Sequence, residues 1–297
     1  MTGLTKEQLS KFNDEGMLCI PKFLNSDQVG ELLKRSKLIL SQCDLSSHPK
    51  TTFKTSDNDH IGDKYFFESS DKISYFFDTD AFDENNNLKY SLNISINKIG
   101  HGLHIKDEIF KKYTLNEDIK DIVKDLNFKQ PKVLQSMCIF KQPKKNKEDK
   151  EVRQNAVPPH TDGTFLFTEP QSAIGFWIAL EDCTIENGCL SYIPQSHKLD
   201  TVTKRFVRVD GCEKGCTFQK LKDEEVEYND SQFKTVECKA GSLILIHNSV
   251  LHKSEDNVSN KSRYAYAFHV IDGETKYDEL NWLQVPYTGG SNFTRLY

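Results

Sequence analysis

The chain has 297 residues, 37% of them hydrophobic and 28% charged, with a net charge of −5 at pH 7. That length can bury a full core, the mild acidity leaves no electrostatic footprint for nucleic acid, and no apolar run is long enough to span a bilayer. Eight scattered cysteines, behind an N-terminus (MTGLTKEQLSKFNDEG) with neither a basic nor an apolar signal region, lead us to expect reduced thiols and a cytoplasmic setting.

In chain order, residues 4–42 read as helix, short strand, helix. Thr5 and Gln8 form a capping-box pair opening the first helix, and Pro21 ends an apolar strand at 18–20. Ser26 is the expected cap of the second helix, in which Val29, Leu32, Leu33 and Leu40 fall at helical spacing. Residues 43–64 are polar and turn-rich, 65–77 are aromatic without a clean period, and 83–87 make a surface loop. Residues 92–98 alternate like a strand, and 107–126 read as one or two helices. Past Pro131 the spacing predicts strands at 133–140, 165–167, 175–180, 189–193, 242–246 and 264–270, with Asn187-Gly188 as a hairpin turn.

Many short strands with Gly and Asn turns predict a mainly β fold with flanking helices, a sandwich or jelly roll. No repeat or linker divides the chain. The expectation is one domain over 1–297, with a helix-rich part at 1–130 and a β core at 131–297. The charged run 141–159 reads as a solvated loop or, functionally, as a mobile flap over His160. Ser36-Lys37-Leu38 is internal and the last residues are Arg295-Leu296-Tyr297, so no C-terminal peroxisomal address is read. Cys212 and Cys216 lack the second pair that a zinc knuckle needs.

The charged run opens onto PPHTDGTFLF, residues 158–167. On a strand, His160 and Asp162 would share a face and offer an imidazole nitrogen and a carboxylate oxygen together. Alone the pair is weak evidence: with nine His and 44 acidic residues, roughly one such match arises by chance. A third ligand must come from another strand. His247 suits a structural place at a strand end, whereas His252 opens a segment that turns and returns through Arg263 to Phe268, so His252 is preferred. His269, near the far end of the return strand, reads as structural. Two imidazoles and one carboxylate make the facial triad of non-haem Fe(II) oxygenases, which leaves positions for a 2-oxo acid and O₂. Arg263 has the planar fork to hold the distal carboxylate of 2-oxoglutarate, with the Ser254 hydroxyl as a further donor. Trp177 reads as core.

HTDGTFLFTEP, GFWIALEDCTIENGCLSYIPQSHK and GSLILIHNSVLHKSEDNVSNKSRYAYAFH resemble the phytanoyl-CoA dioxygenase family, in particular its short, non-peroxisomal branch. INKIGHGLH and QSMCIFKQP are similar to that branch as well. The resemblance implies a double-stranded β-helix (cupin-like) core and oxidation with Fe(II), 2-oxoglutarate and O₂. It carries the metal ligands to His160, Asp162 and His252, and the 2-oxoglutarate contacts to Lys98, Met137, Trp177, Ser254 and Arg263. The run before the metal strand is more charged than the family pattern, and EPQSAIGFW is shorter by a residue.

The sequence therefore reads as an Fe(II)- and 2-oxoglutarate-dependent dioxygenase. Its expected partner is a small organic or lipid-like substrate, with no nucleic acid, membrane or obligate protein partner. A non-catalytic sensor or interaction module on the same fold is the alternative. It predicts metal-dependent 2-oxoglutarate binding without succinate. A metal enzyme that does not use 2-oxoglutarate predicts indifference to loss of Arg263.

Overall fold

A computed structural model describes residues 3–52, 63–143, 155–223 and 226–297. Most of the charged run, residues 144–154, and the Cys212 side chain lie outside the described residues.

The strands are β1 (Met17–Ile20), β2 (Ile73–Phe77), β3 (Ile96–His101), β4 (Pro131–Lys141), β5 (Val157–His160), β6 (Thr168–Glu169), β7 (Ile174–Ala179) and β8 (Leu190–Tyr192). They continue with β9 (Lys204–Arg208), β10 (Cys216–Lys220), β11 (Lys234–Val236), β12 (Leu243–His247), β13 (His252–Ser254), β14 (Arg263–Asp272), β15 (Lys276–Tyr277) and β16 (Thr294–Arg295). The large sheet runs β1-β12-β7-β14-β4-β3-β2, with β16 added to β4, and the smaller one runs β11-β8-β13-β5. β9 with β10 and β6 with β15 form two-stranded ribbons. The architecture is a jelly roll with flanking helices, as the turn-rich strand pattern predicts. Three strands that precede residue 130 belong to the large sheet.

Period-two alternation decides what each face of the large sheet does. Phe176 and Ile178 on β7, and Tyr264, Tyr266 and Phe268 on β14, pack with helix residues such as Leu32, Phe110 and Ile122 in the main core. Trp177, Ala179, Ala265 and Ala267 face the other way, into a second core shared with Leu190 and Tyr192 of the smaller sheet. The functional cavity lies on that inner face. Small residues there leave space that the aromatic outer face does not.

The N-terminal helices Lys6–Glu15 and Ser26–Ser41 match expectation, including the Thr5–Gln8 capping box. The second cap is Asn25, not Ser26. Asn25 accepts from the Asp27 and Gln28 amides, and Gln28 returns a bond to the Asn25 amide, so the box residue three positions on selects Asn25. Residues 92–98 are not one strand. Leu92–Ser95 is a helical turn, held by Ser95 Oγ bonds to Ser91 and Tyr90 carbonyls, and β3 begins at Ile96. The strand expected at 165–167 is also absent, because Asp162–Phe165 forms a helical turn.

Asn187-Gly188 is a turn but not a hairpin. Gly188 has φ +73° and its amide bonds Ile185, yet the runs on either side join different sheets. His252 and Arg263 likewise do not pair across a hairpin; they look across from opposite sheets. Among the described residues, no helix is long and apolar enough to cross a membrane.

Candidate active site

Antiparallel pairing of β5 with β13 sets His252 directly opposite His160, and their rings lie 4.2 Å apart between centroids. β5 ends at His160, so Asp162 does not share a strand face with it; Asp162 opens the following helical turn instead. The turn still delivers the carboxylate. Asp162 Oδ1 is 3.9 Å from His160 Nε2 and 3.7 Å from His252 Nε2, and one ligand atom from each residue falls within 4.8 Å of the others.

The backbone fixes which imidazole nitrogen is free. His160 Nδ1 is 2.8 Å from the Pro158 carbonyl, and His252 Nδ1 is 3.0 Å from that of Val250. A carbonyl only accepts, so each Nδ1 carries the proton and each Nε2 presents its lone pair toward Asp162. Burial, then the field of His252, lowers the His160 pKa to about 4. Burial opposes ionisation of Asp162, but the fields of His269 and His252 hold its carboxyl well below the usual range. The group offers two imidazole nitrogens and one carboxylate, which fits a divalent metal with open positions.

All eight residues named from the sequence line one cavity of about 200 Å³ between the sheets. Arg263 begins β14 and is 2% exposed; its Nε and Nη1 are sealed from solvent and have no hydrogen-bond partner. Its guanidinium lies 5.2 Å from the Trp177 ring centre, and burial lowers its pKa. A buried cation with unmet donors is costly unless an anion meets them. The orphaned fork therefore fits a carboxylate, and Trp177 is a wall of that pocket rather than core alone. Lys98 is buried, 5.4 Å over the Phe76 ring, and burial drives its pKa well below the usual lysine range. Met137 lines the same wall.

Ser254 sits differently from its sequence role. Its hydroxyl donates to the Gly188 carbonyl at 2.9 Å and accepts from Lys141 Nζ at 2.6 Å. Lys141 also reaches the Ser254 and Glu255 carbonyls and stands beside Arg263 in the β4–β14 register.

Sequence reasoning missed His269. Its Nε2 lies 3.3 Å from Asp162 Oδ2, off the line of a full hydrogen bond, and its Nδ1 is 3.4 Å from Gln135 Nε2. The signal was present in the alternation: Arg263, Ala265, Ala267 and His269 are successive residues on one strand face. Gly175 explains how the carboxylate comes so close. A Cβ there would stand 3.1 Å from Asp162 Oδ2. His247, by contrast, packs against His197 and Phe12, away from this group.

Sequence comparison agrees with this arrangement. The model of the phytanoyl-CoA dioxygenase (PhyH) family matches residues 12–265. A phytanoyl-CoA dioxygenase of Arabidopsis thaliana is 42% identical over 282 residues, covering 95% of this chain and 94% of its own length. Phytanoyl-CoA dioxygenase domain-containing protein 1 of Bos taurus is 39% identical over 291 residues, 96% of each chain. Among solved structures, EctD from S. alaskensis with bound Fe has a TM-score of 0.62 at 16% identity, covering 99% of this chain and 87% of that one. The 2-oxoglutarate-dependent epimerase SnoN from nogalamycin biosynthesis has a TM-score of 0.62 at 15% identity, covering 98% of both chains. At such identities the structures speak for the fold, and it is the sequence relatives that make the assignment: the chain belongs to the phytanoyl-CoA dioxygenase family of iron- and 2-oxoglutarate-dependent oxygenases.

Proposed function

We propose that the protein hydroxylates a small organic or lipid-like substrate, with His160, Asp162 and His252 holding Fe(II) and Arg263 binding the distal carboxylate of 2-oxoglutarate. One observation carries the reading. A two-imidazole, one-carboxylate group and a buried arginine with unmet donors line the same cavity. When bound, iron and 2-oxoglutarate supply the oxidising power: a substrate C–H bond, 2-oxoglutarate and O₂ become C–OH, succinate and CO₂.

The chain's own residues do the positioning. The Pro158 and Val250 carbonyls aim both Nε2 lone pairs, and His269 steadies the outer oxygen of Asp162. Lys98, Met137 and Trp177 wall the co-substrate's space, and the sheets around it exclude water. Ser254 contributes through Lys141, which it anchors beside Arg263. The enclosed, largely apolar and aromatic cavity lining and the mixed surface charge favour a small molecule over nucleic acid, membrane or a protein partner, in a cytoplasmic setting.

The test is succinate release by anaerobically iron-loaded protein on admission of O₂ and 2-oxoglutarate, with His160→Ala alongside. Turnover in the wild type and loss by at least about 100-fold in the variant are expected. Equal succinate from both would refute the assignment. Metal-dependent 2-oxoglutarate binding with no succinate at all would favour a sensor on the same fold.

A further inference from the structure

The residues assigned to iron and 2-oxoglutarate leave part of the cavity wall unused, and one stretch of that part is a run of aromatic rings. His160 meets Phe165 at 6.1 Å between ring centres, Phe165 meets Phe206 at 5.8 Å, and Phe206 meets Trp282 at 6.5 Å. Trp282 then stacks on Phe66 at 4.5 Å and 24°. These rings all line the cavity. The wall therefore begins at a candidate metal ligand and continues ring by ring to Phe66, next to where oxidation would occur.

Two residues of the lining, Trp282 and Gln135, each carry a buried polar atom without a partner. Trp282 is 4% exposed, and its Nε1–H, a donor only, has no partner. Gln135 is 5% exposed and its Oε1 has none either. The Gln135 amide nitrogen lies 3.4 Å from His269 Nδ1. Oε1 is left over as a buried acceptor. A buried donor and a buried acceptor without partners are costly to keep, and a ligand that meets both is favoured for that reason.

We propose that Gln135 and Trp282 select the molecule that is oxidised. It is a compact, uncharged, ring-bearing compound with a hydrogen-bond donor for Gln135 Oε1 and an acceptor for Trp282 Nε1, as a hydroxyl or amide supplies. Both handles are neutral and match neutral groups; a carboxylate would face Gln135 Oε1 with like partial charge. A cavity of about 200 Å³ is below the roughly 300–1,000 Å³ usual for drug-sized ligands. A cavity of that size suits a compact molecule better than a long thioester. The proposal rests on the function assigned above.

The test uses the full chain loaded anaerobically with Fe(II) and 2-oxoglutarate, so that nothing turns over. Three fluorescent probes differ only in polar groups: naphthalene has none, 2-methoxynaphthalene accepts, and 2-naphthol both accepts and donates. The wild type is expected to bind 2-naphthol about tenfold more tightly than naphthalene. Gln135→Leu abolishes the preference for 2-naphthol over 2-methoxynaphthalene. Trp282→Phe abolishes the preference for 2-methoxynaphthalene over naphthalene. Naphthalene, which uses neither polar handle, still binds both variants saturably and so reports that the pocket is formed. Absence of saturable probe binding to the loaded wild type, or preferences that survive both substitutions, would overturn the proposal. Calorimetric 2-oxoglutarate binding in the same samples reports folding and separates the two claims. If the wild type shows no metal-dependent 2-oxoglutarate binding, the function falls. If it does but the probes are not discriminated, only the selection falls.

Discussion

Arg263→Met gives the most direct measure of what the site is built to hold. Methionine spans much of the arginine stem but has no charge and no donors, so it removes the two sealed nitrogens that lack partners. Each unmet buried donor costs about 1–3 kcal/mol, and more when charged. Against this stands the cation–π contact to Trp177, at 5.2 Å from the ring centre, worth about 1–2 kcal/mol. The balance leaves the ligand-free variant more stable by about 2 kcal/mol, the sign seen when buried charges are replaced by apolar residues of similar size. For a chain this long that is a rise in Tm of about 4 °C.

Added ligand should reverse the ranking. At a concentration 100 times its Kd, 2-oxoglutarate stabilises the metal-loaded wild type by about 2.7 kcal/mol, or roughly 5 °C; the variant should show almost none of this. Differential scanning fluorimetry with and without 2-oxoglutarate, with Mn(II) present throughout, reads both effects. A variant that is less stable without ligand, or that keeps the 2-oxoglutarate shift, would show that Arg263 is structural and that the reasoning fails.

Other outcomes rest on the same geometry. His269→Leu removes the contact to Asp162 Oδ2 and should weaken Mn(II) binding by about 10–100-fold; His269→Gln, which keeps an N–H, should lose less, and both are read by anaerobic metal titration. Burial holds the His104 pKa down to about 4, whereas an unfolded histidine titrates near 6.5. The unfolded chain thus takes up this proton first as pH falls, and the stability contributed by neutral His104 is complete above about pH 6.5 and lost progressively toward pH 4. His104→Gln should shrink the stability difference between pH 7 and pH 4.5 by about 2 kcal/mol, measured by urea denaturation; an unchanged difference would refute it. Gly188→Ala places a Cβ at φ +73° against the Glu255 carbonyl, and should lower stability by at least about 2 kcal/mol, seen as a lower urea midpoint at unchanged slope.

The parts legible in the sequence were those set by short-range chemistry. Thr5 with Gln8 is a self-contained capping box, and the N-terminal helices form where their apolar spacing puts them. His160, Asp162 and His252 were recognisable because donor types and order survive whatever backbone joins them. Their backbone was less legible: Asp162 reaches the site from a helical turn, not from the strand face. Asn187-Gly188 does turn, but a turn signal does not say which sheet the next strand will join. That is settled by pairing with β11 and β13, more than 40 residues further on. His269 escaped notice because its role depends on where Asp162 lands, which no local pattern encodes. Alternation from Arg263 put it on the right face; only tertiary placement brought it to the carboxylate.

The division of the site between two sheets has a mechanical consequence. His160 and His252 face each other across one strand pair of the smaller sheet, whereas Arg263 and His269 stand on the larger one. A metal ion held by His160 and His252 would couple β5 to β13, and a dicarboxylate that also reached Arg263 would tie that sheet to its neighbour. Amide hydrogen exchange along β13 should then slow when metal binds, and at the start of β14 only when 2-oxoglutarate is added.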